Sequence, residues 1–156
     1  MKEKILEAFQ TLGFQLEEME ELGYGFHYEG KHYLYMCSEN DPDFLNITIP
    51  AVMDIDDKED ISAYHVMDKI NSTLKYVKAY ELYDSVWLFY ERELSGDEDL
   101  KKVLSKMILH LEGGYLFLHN AMENLDEDYD NPSEVVDDET PSEVTDSEMD
   151  NDDDVA

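Results

Sequence analysis

Residues 74–94, LKYVKAYELYDSVWLFYEREL, decide the fold of this 156-residue chain. Two runs dense in aromatic and apolar side chains, residues 76–83 and 85–94, meet at Tyr83-Asp84. Such runs joined by a short turn predict a β-hairpin, and the two strands of a hairpin are antiparallel. The chain is therefore expected to contain an antiparallel sheet.

The second strand of this hairpin is apolar on both of its faces. Val86, Leu88 and Tyr90 alternate with Trp87 and Phe89, so each set lies on its own face. In an antiparallel sheet covered by helices on one side, the second face is normally polar. The pattern indicates that something covers this second face, either a partner protein, a second subunit or client segment, or the chain's own final helix or early loop.

A first hairpin is predicted upstream, where residues 24–28 and 31–37 flank Glu29-Gly30. Pairing across this turn places Phe26 opposite Tyr33. It also places Tyr24 opposite Tyr35, so that four rings share one face while Leu34 and Met36 point to the other. The candidate partner-binding residues are the rings of the two hairpins: Tyr24, Phe26, Tyr33, Tyr35, Trp87 and Phe89.

The apolar spacing predicts three helices around these strands. The first spans residues 2–12 and ends at Gly13, and a short strand is expected directly after it, at residues 14–17. The last begins near residue 100 and is expected to be interrupted by Gly113-Gly114, a pair that a kink or a close helix approach would explain.

The middle of the chain supplies one more strand and the second helix. Residues 44–49 alternate as a strand, and Pro50 is expected to end its ladder. An acidic helix entrance at residues 54–60 leads to a helix over residues 61–70, which Asn71-Ser72-Thr73 should break. The predicted class is α+β, in the order α-β-β-β-β-α-β-β-α.

The acidic residues divide the chain into two parts. Residues 126–156 hold 15 of the 40 Asp and Glu side chains and none of the 11 Lys and Arg, so residues 1–125 carry a net charge of −14. We predict a folded domain over 1–125 and a disordered acidic tail over 126–156. Because phosphates and anionic headgroups bind through Lys and Arg clusters, nucleic acid and membrane surfaces are unfavourable partners, and basic proteins are favourable ones.

Chemistry-bearing residues form no recognisable catalytic motif. The acidic stretch 54–60 lacks the glycine and distal Glu of a calcium loop. His27 and His32 are expected to face each other but offer only two ligands, and Cys37 has no adjacent base. We expect no catalytic residues, no metal and no cofactor. Without an export-like or membrane-length apolar run, the expected location is cytoplasmic.

Two segments resemble a known family. LNITIPAVMDIDDKEDISAYHVMDKIN (45–71) is similar to the strand, acidic linker and helix of the YbjN family, and residues 74–94 resemble its hairpin. That family shares the fold of type III secretion chaperones. The resemblance implies a twisted, mostly antiparallel sheet with helices packed on one face.

The resemblance also shapes the functional hypothesis. Secretion chaperones of this fold are acidic dimers that wrap a client, and YbjN proteins are described as regulators without established chemistry. We predict a noncatalytic protein-binding module, chaperone-like or regulatory, that engages a protein partner through a sheet face and forms a homodimer. The alternative is an immunity or inhibitor protein that neutralises a basic toxin or a nucleic acid-binding protein.

Overall fold

The computed structural model describes residues 1–56 and 61–130, with side chains described as far as Leu125. The predicted order of elements is confirmed. In chain order they are α1 (Lys2–Thr11), β1 (Glu17–Met19), β2 (Gly23–Tyr28), β3 (Lys31–Met36), β4 (Phe44–Asp54), α2 (Ser62–Thr73), β5 (Val77–Leu82), β6 (Ser85–Glu93) and α3 (Leu100–Asp130). The final helix thus continues five residues past the predicted domain boundary. The rest of the predicted tail, from 131 on, and positions 57–60 of the acidic stretch lie outside the described residues.

The six strands form one antiparallel sheet in the order β1-β2-β3-β4-β6-β5. The helices pack on one of its faces, as predicted. Their apolar stripes, represented by Phe9 of α1, Ile70 of α2 and Leu111 of α3, join Ile47 and Leu88 of the sheet in a single core. The opposite face of the sheet carries none of the described helices, and we call it the open face.

Both hairpin turns form where they were predicted. Glu29 and Gly30 have φ of 46° and 73°, and Tyr83 and Asp84 have φ of 52° and 54°. Two successive residues with positive φ characterise the type I′ turn, whose twist matches that of the flanking strands. The turns fix the registers that place Phe26 opposite Tyr33 and Tyr24 opposite Tyr35, as predicted.

Pro50 does not end β4, contrary to the prediction. The strand continues to Asp54, and its register with β6 shifts between Ile49 and Met53. Ala51, next to the proline, has φ of 47°. A proline that cannot donate to a ladder is tolerated where a bulge interrupts the ladder, and this irregularity lets the strand resume beyond it.

The short first strand lies two to three residues later than predicted, at Glu17–Met19. Phe14 instead packs on the rings of Phe9 and Phe26, with centroid distances of 5.9 and 5.1 Å. The packing of this partly buried ring against the core draws the chain after α1 away from the sheet edge. β1 therefore begins at Glu17, after the residues that place the Phe14 ring.

Gly113 and Gly114 do not interrupt α3, which runs unbroken from Leu100 to Asp130. A Cβ at Gly114 would lie 3.0 Å from Cγ1 of Val77 and 3.7 Å from Cδ1 of Leu88, whereas nothing lies within 4 Å of such an atom at Gly113. The close-approach explanation therefore holds for Gly114, because α3 crosses the sheet there at short range.

A compact turn holds the start of α3. The Glu98 carboxylate accepts hydrogen bonds from the backbone N–H groups of Ser95 and Gly96, at 2.8 and 2.9 Å, and from Arg92 at 3.1 Å. The bond from Ser95 is the main cause that lowers the pKa of Glu98 to about 2, because these donors favour the charged form. The turn at residues 95–97 is thus closed by a carboxylate that stays ionised.

Asn71 closes the β5 edge of the sheet instead of ending α2, which continues to Thr73. Its side-chain amide donates to the carbonyl of Ala79 and accepts from the N–H of the same residue, both at 2.8 Å. This pair of bonds occupies backbone groups that an added strand would use. α2 thereby blocks strand addition at this position.

Asn71→Ala is expected to lower the free energy of unfolding by about 1–3 kcal/mol, because it leaves the N–H and C=O of the buried residue Ala79 without partners. Urea denaturation measures this loss. Ser72→Ala is the matched control, since the exposed Ser72 hydroxyl donates to the Lys69 carbonyl of its own helix. Equal stabilities of the two variants would contradict the edge-closing role.

Candidate protein-binding surface

The open face carries a second, smaller apolar cluster. Its buried members are Leu34 of β3 and Trp87 and Phe89 of β6, and Met19, Met36 and Leu82 pack against them at the margins. All six belong to strands. Among the residues that the structure describes, α3 lies on the opposite face and the segment after α1 contributes only Met19, so the cluster is covered mainly by side chains of the sheet itself.

Two tyrosines form the exposed layer of this cluster. Tyr80 stacks on Phe89 with ring centroids 4.0 Å apart and an interplanar angle of 4°, and Tyr83 lies 6.0 Å from Trp87. The exposed fractions of Tyr80 and Tyr83 are 41% and 75%. A continuous aromatic surface results, in which Trp87 and Phe89 form the buried layer and the two tyrosines meet the solvent.

Four of the six predicted partner-binding rings do not lie on this face. Phe26, Tyr33 and Tyr35 share one face, as predicted, but that face lies beneath the helices and the three side chains are at most 2% exposed. Phe9 of α1 contacts Phe26 and Tyr35, at 4.9 and 5.8 Å. These rings therefore form the core, because the apolar stripe of α1 needs them for its own burial.

Tyr24 belongs to the same helix-covered face at its edge. Its ring stacks on Tyr35 at 6.2 Å, and the Lys2 ammonium lies 5.1 Å from the ring centroid. Tyr33 is held from the other side, where its hydroxyl donates to Glu112 of α3 at 2.7 Å. Burial raises the pKa of Tyr33 far above its usual range, and the bond to the Glu112 carboxylate adds to this. Of the predicted rings, only Trp87 and Phe89 lie on the open face.

Sequence reasoning missed Tyr80 and Tyr83, although the signal was present. The Tyr83-Asp84 turn sets a register in which Tyr80 lies directly opposite Trp87. Counted outward from the turn, this register identifies Tyr80 as a neighbour of the aromatic strand β6. Tyr83 is a turn residue, and its ring is placed over Trp87 by tertiary packing that strand alternation does not encode.

Polar residues surround the aromatic surface. The Glu91 carboxylate pairs with the Lys78 ammonium at 2.9 Å and accepts from the Asn46 amide at 3.0 Å. On the far side His27 and His32 face each other with ring centroids 5.0 Å apart. Burial lowers the pKa of His32, His27 lowers it further, and Glu17 opposes the shift. The open face thus has an apolar centre and a polar rim.

Two buried polar atoms on this face are unpaired. Within the part of the chain that the structure describes, three buried side-chain atoms have no hydrogen-bond partner: Nε1 of Trp87 and Oδ1 of Asn46 on this face, and Nε2 of His119 on α3. Unpaired buried polar atoms are uncommon in native structures because each costs about 1–3 kcal/mol. Two of the three therefore belong to the open face, which no described helix covers.

The described residues offer little support for a metal site or a membrane span. Across residues 1–56 and 61–125, no three His, Cys, Asp or Glu side chains come together as a metal-ligand set. His27 and His32 pair as predicted but remain two ligands, and Cys37 is a half-buried free thiol. No described helix combines the length and hydropathy needed to cross a membrane.

Comparison with known proteins identifies the fold. No family model matches this chain, and no curated protein matches it by sequence. Among solved structures it is similar to YbjN of E. coli, a protein described as a candidate transcription regulator. The TM-score is 0.58 at 8% sequence identity, over 80% of this chain and 93% of that one. The predicted resemblance to YbjN is therefore confirmed for the fold.

Proposed function

We propose that this chain is a noncatalytic, cytoplasmic protein-binding module that receives a protein partner on its open face. The observation that carries the proposal is the pair of exposed rings, Tyr80 and Tyr83, that lie over Trp87 and Phe89 on the open face of the sheet. Tyr, Trp and Met are enriched at the centres of protein interfaces, because they supply large apolar contact areas with a polar end.

The arrangement of the open face resembles an interface rather than an ordinary solvated sheet. An apolar centre inside a rim of Lys78, Glu91 and the histidine pair is the usual anatomy of a protein-protein contact. A partner that settles on Tyr80 and Tyr83 would exclude water from the stacked rings. It could also meet the unpaired atoms of Trp87 and Asn46 after small side-chain movements.

The charge of the chain restricts the partner. With a formal charge of −29, the molecule repels nucleic acid phosphates and anionic headgroups and attracts basic proteins. YbjN is described as a candidate transcription regulator. If this chain has a regulatory role, we propose that it acts through a bound protein and makes no direct contact with DNA.

Capture from lysate with matched variants tests this function. Tyr80→Ser combined with Tyr83→Asn removes the exposed rings, and Asn is chosen because it tolerates the positive φ of the turn. We expect the captured partner to fall about tenfold or more, as for loss of interface hot spots, with the melting temperature little changed. Tyr76→Ser is the control, since Tyr76 is 61% exposed and stacks on Tyr90 of the helix-covered core. Equal capture by both variants would overturn the proposal.

The alternative, an immunity or inhibitor protein against a basic target, is supported by the acidity of residues 1–125. Its contacts would be mainly ionic and would weaken steeply with salt. Repeating the capture at about 0.5 M NaCl, where the Debye length is only about 4 Å, separates the two functions. Retention through Tyr80 and Tyr83 supports the apolar contact, and complete loss with salt supports the inhibitor.

A further inference from the structure

The outward side of α3 carries a regular stripe of exposed residues. Leu109 and Leu116 are 60% and 59% exposed, while Leu104, Leu111 and Leu118 on the opposite side of the same helix are fully buried. Seven of the exposed positions follow one another at alternating spacings of four and three residues, and we call these seven the outer stripe: Lys102, Lys106, Leu109, Gly113, Leu116, Asn120 and Glu123.

This spacing is that of a coiled-coil seam. Positions that alternate by three and four residues stay on one side of a helix and can face a second helix along its length. Gly113 lies at the centre of the stripe, and no atom of the described residues lies within 4 Å of the position that its Cβ would occupy. Two helices can therefore approach closely there, with Leu109 and Leu116 on either side of the contact.

Two copies of the outer stripe match each other in size and charge when the two helices run antiparallel. If two copies of α3 run antiparallel with Gly113 facing Gly113, Leu109 of one copy faces Leu116 of the other. In the same register Lys102 faces Glu123, and Lys106 faces Asn120. A parallel pair would instead place Lys102 against Lys102 and Glu123 against Glu123, which like-charge repulsion disfavours.

We propose that the outer stripe is a homodimer interface in which α3 packs antiparallel against α3 of a second copy, with the two-fold axis at Gly113. The same patch then serves both subunits, as closed two-fold symmetry requires. Lys102 is available for this contact. The Lys102 ammonium lies 3.6 Å from the carboxylate of Asp99, which directly precedes the helix, and the Lys102 side chain is 80% exposed.

The dimer does not depend on the function proposed for the open face, but it would extend that function. α3 lies on the helix-covered side of the sheet, so both open faces would remain accessible and each dimer could bind two partners. A 31-residue helix is about 46 Å long at 1.5 Å per residue. Antiparallel packing would place the two C-terminal helix ends far apart, which limits repulsion between the acidic segments that follow.

Sedimentation equilibrium of the full chain in about 0.15 M salt, where charges beyond roughly 8 Å are screened, tests the dimer. We expect a dimer for the natural sequence and a monomer for Leu109→Ser/Leu116→Ser. Lys102→Glu and Glu123→Lys should each weaken the dimer about tenfold, and Lys102→Glu/Glu123→Lys should restore it, because the pair is reversed. Lys69→Glu, at an exposed position of α2, is the control for net charge and should leave the dimer unchanged.

A crosslink tests the register independently of any change in stability. In a Cys37→Ser background, Gly113→Cys should oxidise to a covalent dimer, because the two-fold axis brings that position next to its own copy. Lys69→Cys in the same background should stay monomeric. The proposal would be overturned if the natural chain remained monomeric at about 100 μM, a weak dissociation constant for a dimer. It would also be overturned if the double charge reversal failed to restore a dimer that the single variants had lost.

Discussion

Gly23→Ala is expected to lower the free energy of unfolding by about 3–5 kcal/mol, which is among the largest effects of a single added methyl group. A Cβ at Gly23 would lie 2.1 Å from the carbonyl oxygen of Tyr35 on the paired strand. The φ of Gly23 is 125°, a conformation that residues with a side chain rarely adopt. Because the obstacle is backbone, the clash is relieved only if β2 and β3 separate at this end.

Gly30→Ala is the matched control for this substitution. Gly30 also has positive φ, at 73°, but nothing lies within 4 Å of its Cβ position. Gly30→Ala should therefore lower the free energy of unfolding by only about 1 kcal/mol, the cost of a side chain at positive φ in the turn. Urea denaturation of both variants measures the difference. A Gly23→Ala protein as stable as Gly30→Ala would contradict the close approach of β2 to Tyr35.

Phe26→Ala is the second large expected effect, with a loss of about 3–5 kcal/mol in the free energy of unfolding. Phe26 is 1% exposed, and its ring lies 4.9 Å from Phe9, 5.1 Å from Phe14 and 5.3 Å from Tyr33. Truncation leaves a cavity among three rings that the surrounding helix and strands cannot fully close.

Tyr80→Ala is the matched comparison for the stability loss of Phe26→Ala. Tyr80 is also aromatic and also lies in a strand, but it is 41% exposed on the open face. Its truncation should cost about 1 kcal/mol or less, while it weakens partner capture. Thermal and urea unfolding of the two variants distinguish a core ring from a surface ring. Comparable stabilities would mean that Phe26 is not under the helices.

The sequence was most informative where the determinants were local. Both hairpins follow from two-residue turns flanked by alternating aromatic strands, and each turn fixed a register that the structure has, including Phe26 opposite Tyr33. Helices were found from their apolar spacing in the same way. These signals depend on neighbours within a few residues, and so they can be recognised in a single sequence.

What the sequence could not provide was the side of the sheet on which the helices lie. Alternation separates Phe26 and Tyr33 from Leu34 and Met36 but does not say which set is covered. That choice depends on contacts such as Phe9 with Phe26, which join residues far apart in the chain. The first-hairpin rings were therefore predicted as a binding surface although they form the core.

Two further errors have a similar origin. Asn71-Ser72-Thr73 is predicted to break α2, since these residue types compete for local backbone groups. The helix continues to Thr73, and the Asn71 side chain bonds the backbone of Ala79 in β5. Pro50 is predicted to end the ladder of β4, but the ladder is only interrupted there and resumes at Met53. In each case the local preference is real, and a tertiary contact changes its consequence.

Site-specific photocrosslinking in cells tests the central claim, that the open face binds a protein, most directly. A benzophenone side chain replaces Tyr80 in one strain and Tyr76, on the helix-covered side, in another. We predict that the chain labelled at position 80 forms an adduct with a second protein on irradiation and that the chain labelled at position 76 does not. An adduct at position 76, with none at position 80 in a folded chain, would contradict the proposal.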